Sequence, residues 1–187
     1  MAVLVRLAGA QDAAPIAAIY RPYVEQSRIS FEESPPDAAE MAWRIRGERR
    51  GFYPWFVAEE EDGALLGFAS STPFRTRPAY RWTVETGIYL APEARGRGVG
   101  TALLSPLIEM LTRQGYVAAI AAITLPNDGS VRLHEKLGFF RTGTYRQVGY
   151  KMGEWLDVGL WEKGLAPRTR EPVEALRFTE FLGEALR

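Results

Sequence analysis

The sequence predicts a mixed α/β sheet with helices on its faces. Three observations carry that expectation. Short apolar or alternating runs are interleaved with stretches of 3.6-residue periodicity, a glycine-rich segment at 95–100 stands between a strand pattern and a helix pattern, and no repeat or compositional break divides the 187 residues. That length is ordinary for one domain built around one hydrophobic core.

Residues 3–7 alternate weakly and suit a short strand. Residues 13–24 carry Ile16, Ile19, Tyr20 and Tyr23 at helical spacing, and Pro22 interrupts that helix near its end. A Ser- and Pro-rich loop at 27–36 leads to a second helix, with Asp37 as N-cap, Glu40 as its capping-box partner and Gly51 as its stop. Residues 55–58 read as a strand, Asp62-Gly63 as a tight turn, and 65–71 as the antiparallel partner. A strand at 81–90 precedes the glycine-rich segment. Leu103, Leu104, Leu107, Ile108 and Leu111 then form the apolar stripe of a helix that Pro106 kinks and Gly115 stops. The nearly all-apolar run 116–124 fits a strand buried on both faces, as in a parallel sheet. A helix at 128–137 follows, then two strands within 139–161, the second around 155–161. The tail beyond Gly164 is polar and Pro-containing, with an amphipathic stretch at 173–182 that includes Phe178 and Phe181.

Composition excludes several classes of function. Lys plus Arg equals Asp plus Glu at 23 each, so no net charge favours nucleic acid or a membrane surface. Cysteine is absent and histidine occurs once, which removes a thiol nucleophile, disulfides and His- or Cys-based metal centres. No apolar run approaches the ~20 residues of a membrane span, and no secretory leader pattern begins the chain. A cytoplasmic protein without bound metal is the expectation.

The segment Arg95-Gly96-Arg97-Gly98-Val99-Gly100 carries the chemistry. Glycines remove side chains, so consecutive backbone N–H groups can approach an anion, and the following helix adds the positive end of its dipole. A pyrophosphate suits that arrangement; a plain tight turn has the same composition. The spacing is not the Gly-x-Gly-x-x-Gly of dinucleotide folds, and no Gly-Lys-Ser or Gly-Lys-Thr is present to hold phosphate and magnesium.

The register Arg-x-x-Gly-x-Gly resembles the acyl-CoA pyrophosphate loop of the GNAT superfamily. The match extends through Asn127-Asp128-Gly129-Ser130-Val131-Arg132-Leu133-His134-Glu135-Lys136-Leu137-Gly138-Phe139, whose Asn and terminal Gly-Phe have the spacing of that superfamily's second CoA-facing helix. His134, where many relatives carry Tyr, and Leu125-Pro126-Asn127-Asp128 are similar to the phosphinothricin (methionine sulfoximine) N-acetyltransferase family. So are Ile19-Tyr20 with Tyr23-Val24-Glu25, the segment Ala79-Tyr80-Arg81-Trp82-Thr83-Val84-Glu85, and Gly153-Glu154-Trp155-Leu156-Asp157-Val158-Gly159.

The resemblance implies a twisted, mixed but mostly antiparallel sheet over residues 1–163, flanked by helices, with acetyl-CoA wedged where two strands splay. Residues 164–187 become a tail packed on the domain or on a dimer partner, with the late strands across a homodimer interface. The implied activity is acetyl transfer from acetyl-CoA to the amine of a small amino-acid-like substrate. Glu85 and His134 are the implied acid–base pair: an amine is mostly ammonium at neutral pH and must lose a proton before attacking a thioester. A solvated or ion-paired strand carboxylate is the bland alternative for Glu85, and surface placement for His134. The implied cofactor contacts are Ile88, Tyr89 and Leu90 through backbone, Arg95, Gly96, Arg97, Gly98, Val99, Gly100 and Thr101 in the loop, and Asn127 and Ser130 beyond it. Phe31, Phe74, Arg75, Tyr80 and Trp82 flank the acceptor site in relatives, where an Arg beside aromatics can hold a carboxylate or phosphinate; the aromatics equally suit core packing. Arg77 is a further anion candidate, and Arg46, Arg49 and Arg50 suit a solvated helix end. Gly87 replaces a bulkier strand residue common in relatives. Another amine acceptor, such as a polyamine, an aminoglycoside or a protein N-terminus, and a non-catalytic acyl-CoA sensor remain alternatives.

Overall fold

The computed structural model describes residues 3–46, 52–168 and 171–182, the last two by backbone alone. The expected helix stop at Gly51, Arg49, Arg50 and the Phe181 side chain lie outside the described residues. In chain order the elements are β1 (Leu4–Leu7), α1 (Ala13–Glu25), α2 (Ala38–Arg46), β2 (Trp55–Glu59), β3 (Leu65–Pro73), β4 (Thr83–Leu90), α3 (Val99–Arg113), β5 (Ala118–Thr124), α4 (Asp128–Lys136), β6 (Phe140–Lys151), β7 (Glu154–Gly164) and α5 (Thr179–Leu182). The strands form one sheet in the order β1-β2-β3-β4-β5-β7-β6.

Alternation along each strand divides the core into two layers. Trp55, Val57 and Phe68 face α1 and α2, where they pack with Ile16, Tyr20, Tyr23 and Met41. Phe56, Ala58, Ala69 and Val84 face α3, against Leu103, Leu104, Leu107 and Leu111. α4 joins that side by a close approach: a Cβ on Gly100 would lie 2.8 Å from Leu133 Cδ2, so the glycine lets α3 and α4 meet.

All strand pairs are antiparallel except β4 with β5. The β5 run, expected to belong to a parallel sheet, is parallel to β4 only through Thr83↔Ala118, Val84↔Ala119 and Glu85↔Ile120, and is antiparallel to β7 along its whole length. Past Glu85, β4 continues on β3 and β5 on β7, so the sheet opens into a splay.

Several boundaries differ from the sequence expectation. Pro22 does not interrupt α1, because it sits in the last turn where a missing N–H costs one bond. Pro106 likewise lies inside an unbroken α3. The strand expected from 81 begins at Thr83, since Pro78–Tyr80 forms a 3-10 turn whose carbonyl Arg81 N caps. Asp37 Oδ1 accepts from Glu40 N at 2.8 Å as an N-cap should, but the Glu40 carboxylate takes Arg44 instead of completing the box. Of the amphipathic tail only Thr179–Leu182 is helical. Its upstream part is tied to the domain: Trp82 Nε1 donates to Val173 O, Arg81 pairs with Glu174, and buried Gln114 donates to Leu176 O.

Two polar clusters lock the periphery. The β6–β7 hairpin docks on the α1–α2 loop, where Lys151 Nζ donates to Val24 O and Ser30 O at 2.7 and 2.6 Å and Phe31 lies over Gly149. At the opposite edge Arg6 bridges Asp12 and Glu59, and Asp12 Oδ2 accepts Gly9 N at 2.7 Å. The Arg6 hydrogen bonds hold the Asp12 carboxyl below its usual range, burial opposing them. A lowered native value means stability that is present above the unfolded carboxylate pKa and lost as pH falls through the native one. Asp12→Ala is therefore expected to lower the unfolding free energy by about 1–3 kcal/mol at pH 7, and urea titrations should show the gap between variant and parent closing below about pH 4.

Candidate active site

The β3–β4 ladder decides which backbone groups face the splay. Ala91 N donates to Leu66 O at one end and Phe74 N to Thr83 O at the other, which fix one phase. With Phe68↔Tyr89, Ser70↔Gly87 and Thr72↔Glu85 as paired residues, the main chain of Glu85, Gly87 and Tyr89 is spent on β3. Thr86, Ile88 and Leu90 direct theirs towards β5. The Leu90 pair is taken by α1: Tyr23 Oη donates to Leu90 O at 2.6 Å and accepts Leu90 N at 3.2 Å, with Arg95 Nη2 also donating to it at 3.1 Å. Ile88 is left facing the opening.

A cleft of about 460 Å³ runs from that opening to the start of α3. Its walls include Ile88, Tyr89, Leu90, Arg95, Gly96, Gly98, Gly100, Thr101, Asn127, Ser130 and His134. Gly96 and Gly98 hold φ of +75° and +84°, and a Cβ on either would meet nothing within 4 Å. Conformation, not crowding, selects glycine there. The resulting loop is an open cradle ending in the unpaired first-turn N–H groups of α3, the donor set a pyrophosphate takes. Asn127 caps α4 through Ser130 N and also lines the cleft, so its two expected roles coexist.

His134 is 2% exposed. Its Nδ1 lies 2.8 Å from Ser130 O, and a carbonyl can only accept, so Nδ1 carries the proton and Nε2 is a bare lone pair. Among the described residues that Nε2 is buried without a partner. Burial pushes the imidazole pKa down, the Ser130 bond opposing, so the ring is neutral at pH 7.

On the α1–α2 face of the sheet lies a second cavity, of about 520 Å³. Glu85, Gly87 and Tyr89 of β4 floor it together with Ser70 and Thr72 of β3, and Tyr20, Glu32, Trp43, Arg44 and Trp55 wall it. Arg44 holds Glu32 through both carboxylate oxygens, at 2.7 and 3.1 Å, and Tyr20 Oη donates to the same Glu32 at 3.0 Å. Glu85 is half-buried; burial raises its carboxyl pKa, and the Arg75 charge partly offsets this. The two cavities share Thr86, Gly87, Tyr89 and Ala122, so they meet at the splay, one residue from Glu85.

Most expected cofactor contacts thus line one cleft, and the side chains of two turn away from it. Val99 is 1% exposed and turns into the α3 core, and Arg97 pairs with Glu60 at 2.7 Å. Glu85 and His134 lie in different cavities with no bond between them. None of the five residues expected at the acceptor, Phe31, Phe74, Arg75, Tyr80 and Trp82, lines this second cavity. Phe31 covers Gly149, Phe74 and Tyr80 pack edge-to-face on each other, and the Trp82 indole is occupied by Arg81 and the tail. Arg75 donates to Tyr145 Oη and reaches Glu85 only by its charge. The walls come instead from Tyr20, Glu32, Trp43, Arg44 and Trp55. Of these only Tyr20, in a matched segment, carried a sequence signal; nothing in the spacing brings Arg44 to Glu32.

A sheet split beside a carboxylate, with a glycine cradle behind it, defines an acyl-CoA-dependent transferase. The model of the Acetyltransferase (GNAT) family matches residues 16–139, and the chain belongs to that family, within its phosphinothricin and methionine sulfoximine N-acetyltransferases. The phosphinothricin N-acetyltransferase of Streptomyces viridochromogenes is 40% identical over 91% of this chain and 94% of its own. The L-methionine sulfoximine/L-methionine sulfone acetyltransferase of Pseudomonas aeruginosa is 38% identical over 92% and 100%. The crystal structure of a phosphinothricin acetyltransferase from Sinorhizobium meliloti in complex with acetyl-CoA superposes with a TM-score of 0.86 at 39% identity, covering 95% of this chain and 99% of that one.

The electrostatics of Glu85 give a test independent of turnover. A carboxyl whose native pKa is raised makes the folded state bind a proton more tightly, so ionisation costs stability as pH rises. Glu85→Gln is expected to raise the thermal midpoint at pH 7 to 8, with the gain absent below about pH 4, where both states hold the proton. Calorimetry across that range checks it.

Proposed function

We propose that this chain transfers the acetyl group of acetyl-CoA by direct attack to the α-amine of a small amino acid of the phosphinothricin or methionine sulfoximine type. The observation that carries the reading is Glu85 at the junction of the two cavities, where amine and acyl group have to meet. The relatives named above act on such substrates, which supports the acceptor class.

Bound acetyl-CoA supplies the acyl group as an activated thioester. Glu85 takes a proton from the acceptor ammonium, directly or through water, and its raised pKa brings it closer to the working pH for that exchange. The Ile88 N–H is the backbone donor free to meet charge developing on the acyl oxygen. Direct transfer needs no protein nucleophile, since holding two reactants in one passage removes much of the entropic barrier. His134, neutral and with Nε2 as acceptor, suits receipt of a proton and not its donation to the departing thiolate. Arg75 is the cation nearest in effect to Glu85 and is our candidate for the substrate's anionic group.

The exposed side chains of Phe140, Tyr145, Tyr150 and Trp155 on β6 and β7 support a homodimer formed through that hairpin. No helix among the described residues is long and apolar enough to cross a membrane, and dependence on acyl-CoA suits a cytoplasmic enzyme. Among the described residues no group of three His, Cys, Asp or Glu is placed to hold a metal ion.

Purified protein with acetyl-CoA should release thiol with phosphinothricin, methionine sulfoximine and ordinary amino acids. Release confined to polyamines overturns the acceptor class, and no release with any amine leaves an acyl-CoA-binding protein. Glu85→Gln should lower kcat about 10²-fold or more while acetyl-CoA affinity stays within about threefold; unchanged kcat overturns the assignment of Glu85.

A further inference from the structure

We infer that the missing side chain at Gly87 makes this protein an acyltransferase for groups longer than acetyl, such as propionyl and butyryl. The inference rests on the acyl-CoA reading above and concerns the passage between the two cavities. Gly87 stands on the same face of β4 as Glu85 and Tyr89, and it lines both cavities. On that face it lies between Glu85 and Tyr89, so a side chain there would project where the two cavities meet.

The space left by that side chain is real and cannot collapse. A Cβ on Gly87 would contact Ser70 Oγ at 3.3 Å and Tyr89 Cε2 at 3.7 Å. A methyl group just fits; a larger residue adds γ atoms beside these two neighbours, at a position that lines both cavities. Tyr89 cannot swing in to fill the void, because Phe68 stacks on it at 5.3 Å and Tyr20 and Tyr23 abut it edge-on at 4.6 and 5.1 Å. Ser70, 8% exposed, is paired with Gly87 across the β3–β4 ladder, so its main chain cannot draw away. Across the opening stands Ala122, the other small residue that the two cavities share. An acyl chain entering from the cofactor cleft past Gly87 therefore meets the second cavity, of about 520 Å³.

The chemistry is unchanged by chain length. The amine nitrogen bonds to the acyl carbonyl carbon, the C–S bond breaks, the amine proton goes to Glu85 or its water, and CoA leaves as the thiol after taking up a proton. Only the fit of the methylenes beyond the carbonyl differs, and one methylene in a confined apolar site changes specificity by about 10- to 200-fold.

The test compares acetyl-, propionyl- and butyryl-CoA with methionine sulfoximine as acceptor, in the parent and in Gly87→Ala and Gly87→Val. It reads the butyryl-to-acetyl ratio of kcat/KM and, by calorimetric titration without acceptor, the ratio of Kd values. The parent should use butyryl-CoA within about tenfold of acetyl-CoA, and Gly87→Val should lower the kcat/KM ratio at least about tenfold, with a matching rise in the Kd ratio. Gly87→Ala, whose Cβ has room, should fall between them and guards against a misfolded valine variant. A parent that uses acetyl-CoA but discriminates against butyryl-CoA more than 100-fold (about two powers of ten), or ratios equal in parent and Gly87→Val, overturns the inference. Absence of acetyl transfer overturns the proposed function instead, and the Kd ratios still decide the role of Gly87.

Discussion

The molecule is organised around the place where β4 and β5 stop being partners. Their parallel ladder ends at Glu85↔Ile120, and each strand then follows its other neighbour. Parallel pairing is the weaker kind per residue, while the antiparallel ladders on β3 and β7 run the full length of both strands, so the seam opens here and the flanking sheet holds. An open seam exposes main-chain groups that need partners. Tyr23 satisfies those of Leu90, and the orphaned Ile88 groups become the functional surface. The carboxylate, the cleft and the acceptor cavity are arranged about that one interrupted ladder.

Much of the cofactor side was legible in the sequence, because its determinants are local. Gly96 and Gly98 are glycines for a backbone reason that a five-residue window contains, and Asn127 caps the helix that begins beside it. Each signal lies within a few residues of the feature it creates. Val99 and Arg97 belong to the loop through their main chain, and a contiguous motif does not say which way their side chains turn. Helical phase turns Val99 into the core, and a hairpin distant in sequence supplies Glu60 to Arg97.

The cavity on the α1–α2 face was largely illegible, and the cause is topological. Its wall draws on α1, the loop after it, α2, β2, β3 and β4, and the Glu32–Arg44 pairing depends on how the loop returns, which no periodicity encodes. The aromatic residues near β4 pack elsewhere. Phe74 and Tyr80 satisfy each other, and Trp82 is claimed by a tail whose course the sequence did not reveal, an amphipathic stretch of which only Thr179–Leu182 is helical. The Arg44 guanidinium, read from spacing alone, belongs to a solvent-facing i,i+4 pair with Glu40; the second carboxylate that draws it into the cavity comes from outside the helix.

The buried Lys151 amino group has a consequence of its own. It is the shared donor to Val24 O in the last turn of α1 and to Ser30 O of the loop that carries Ile29 to the cleft and Glu32 to the α1–α2 cavity, and it comes from the tip of the β6–β7 hairpin. Freeing the hairpin strands that amine without acceptors and uncaps the last turn of α1 at once. Hairpin and loop therefore behave as one cooperative unit that opens together or stays closed, and the walls that this loop gives to both cavities loosen only with an edge strand that lies across the sheet from Glu85.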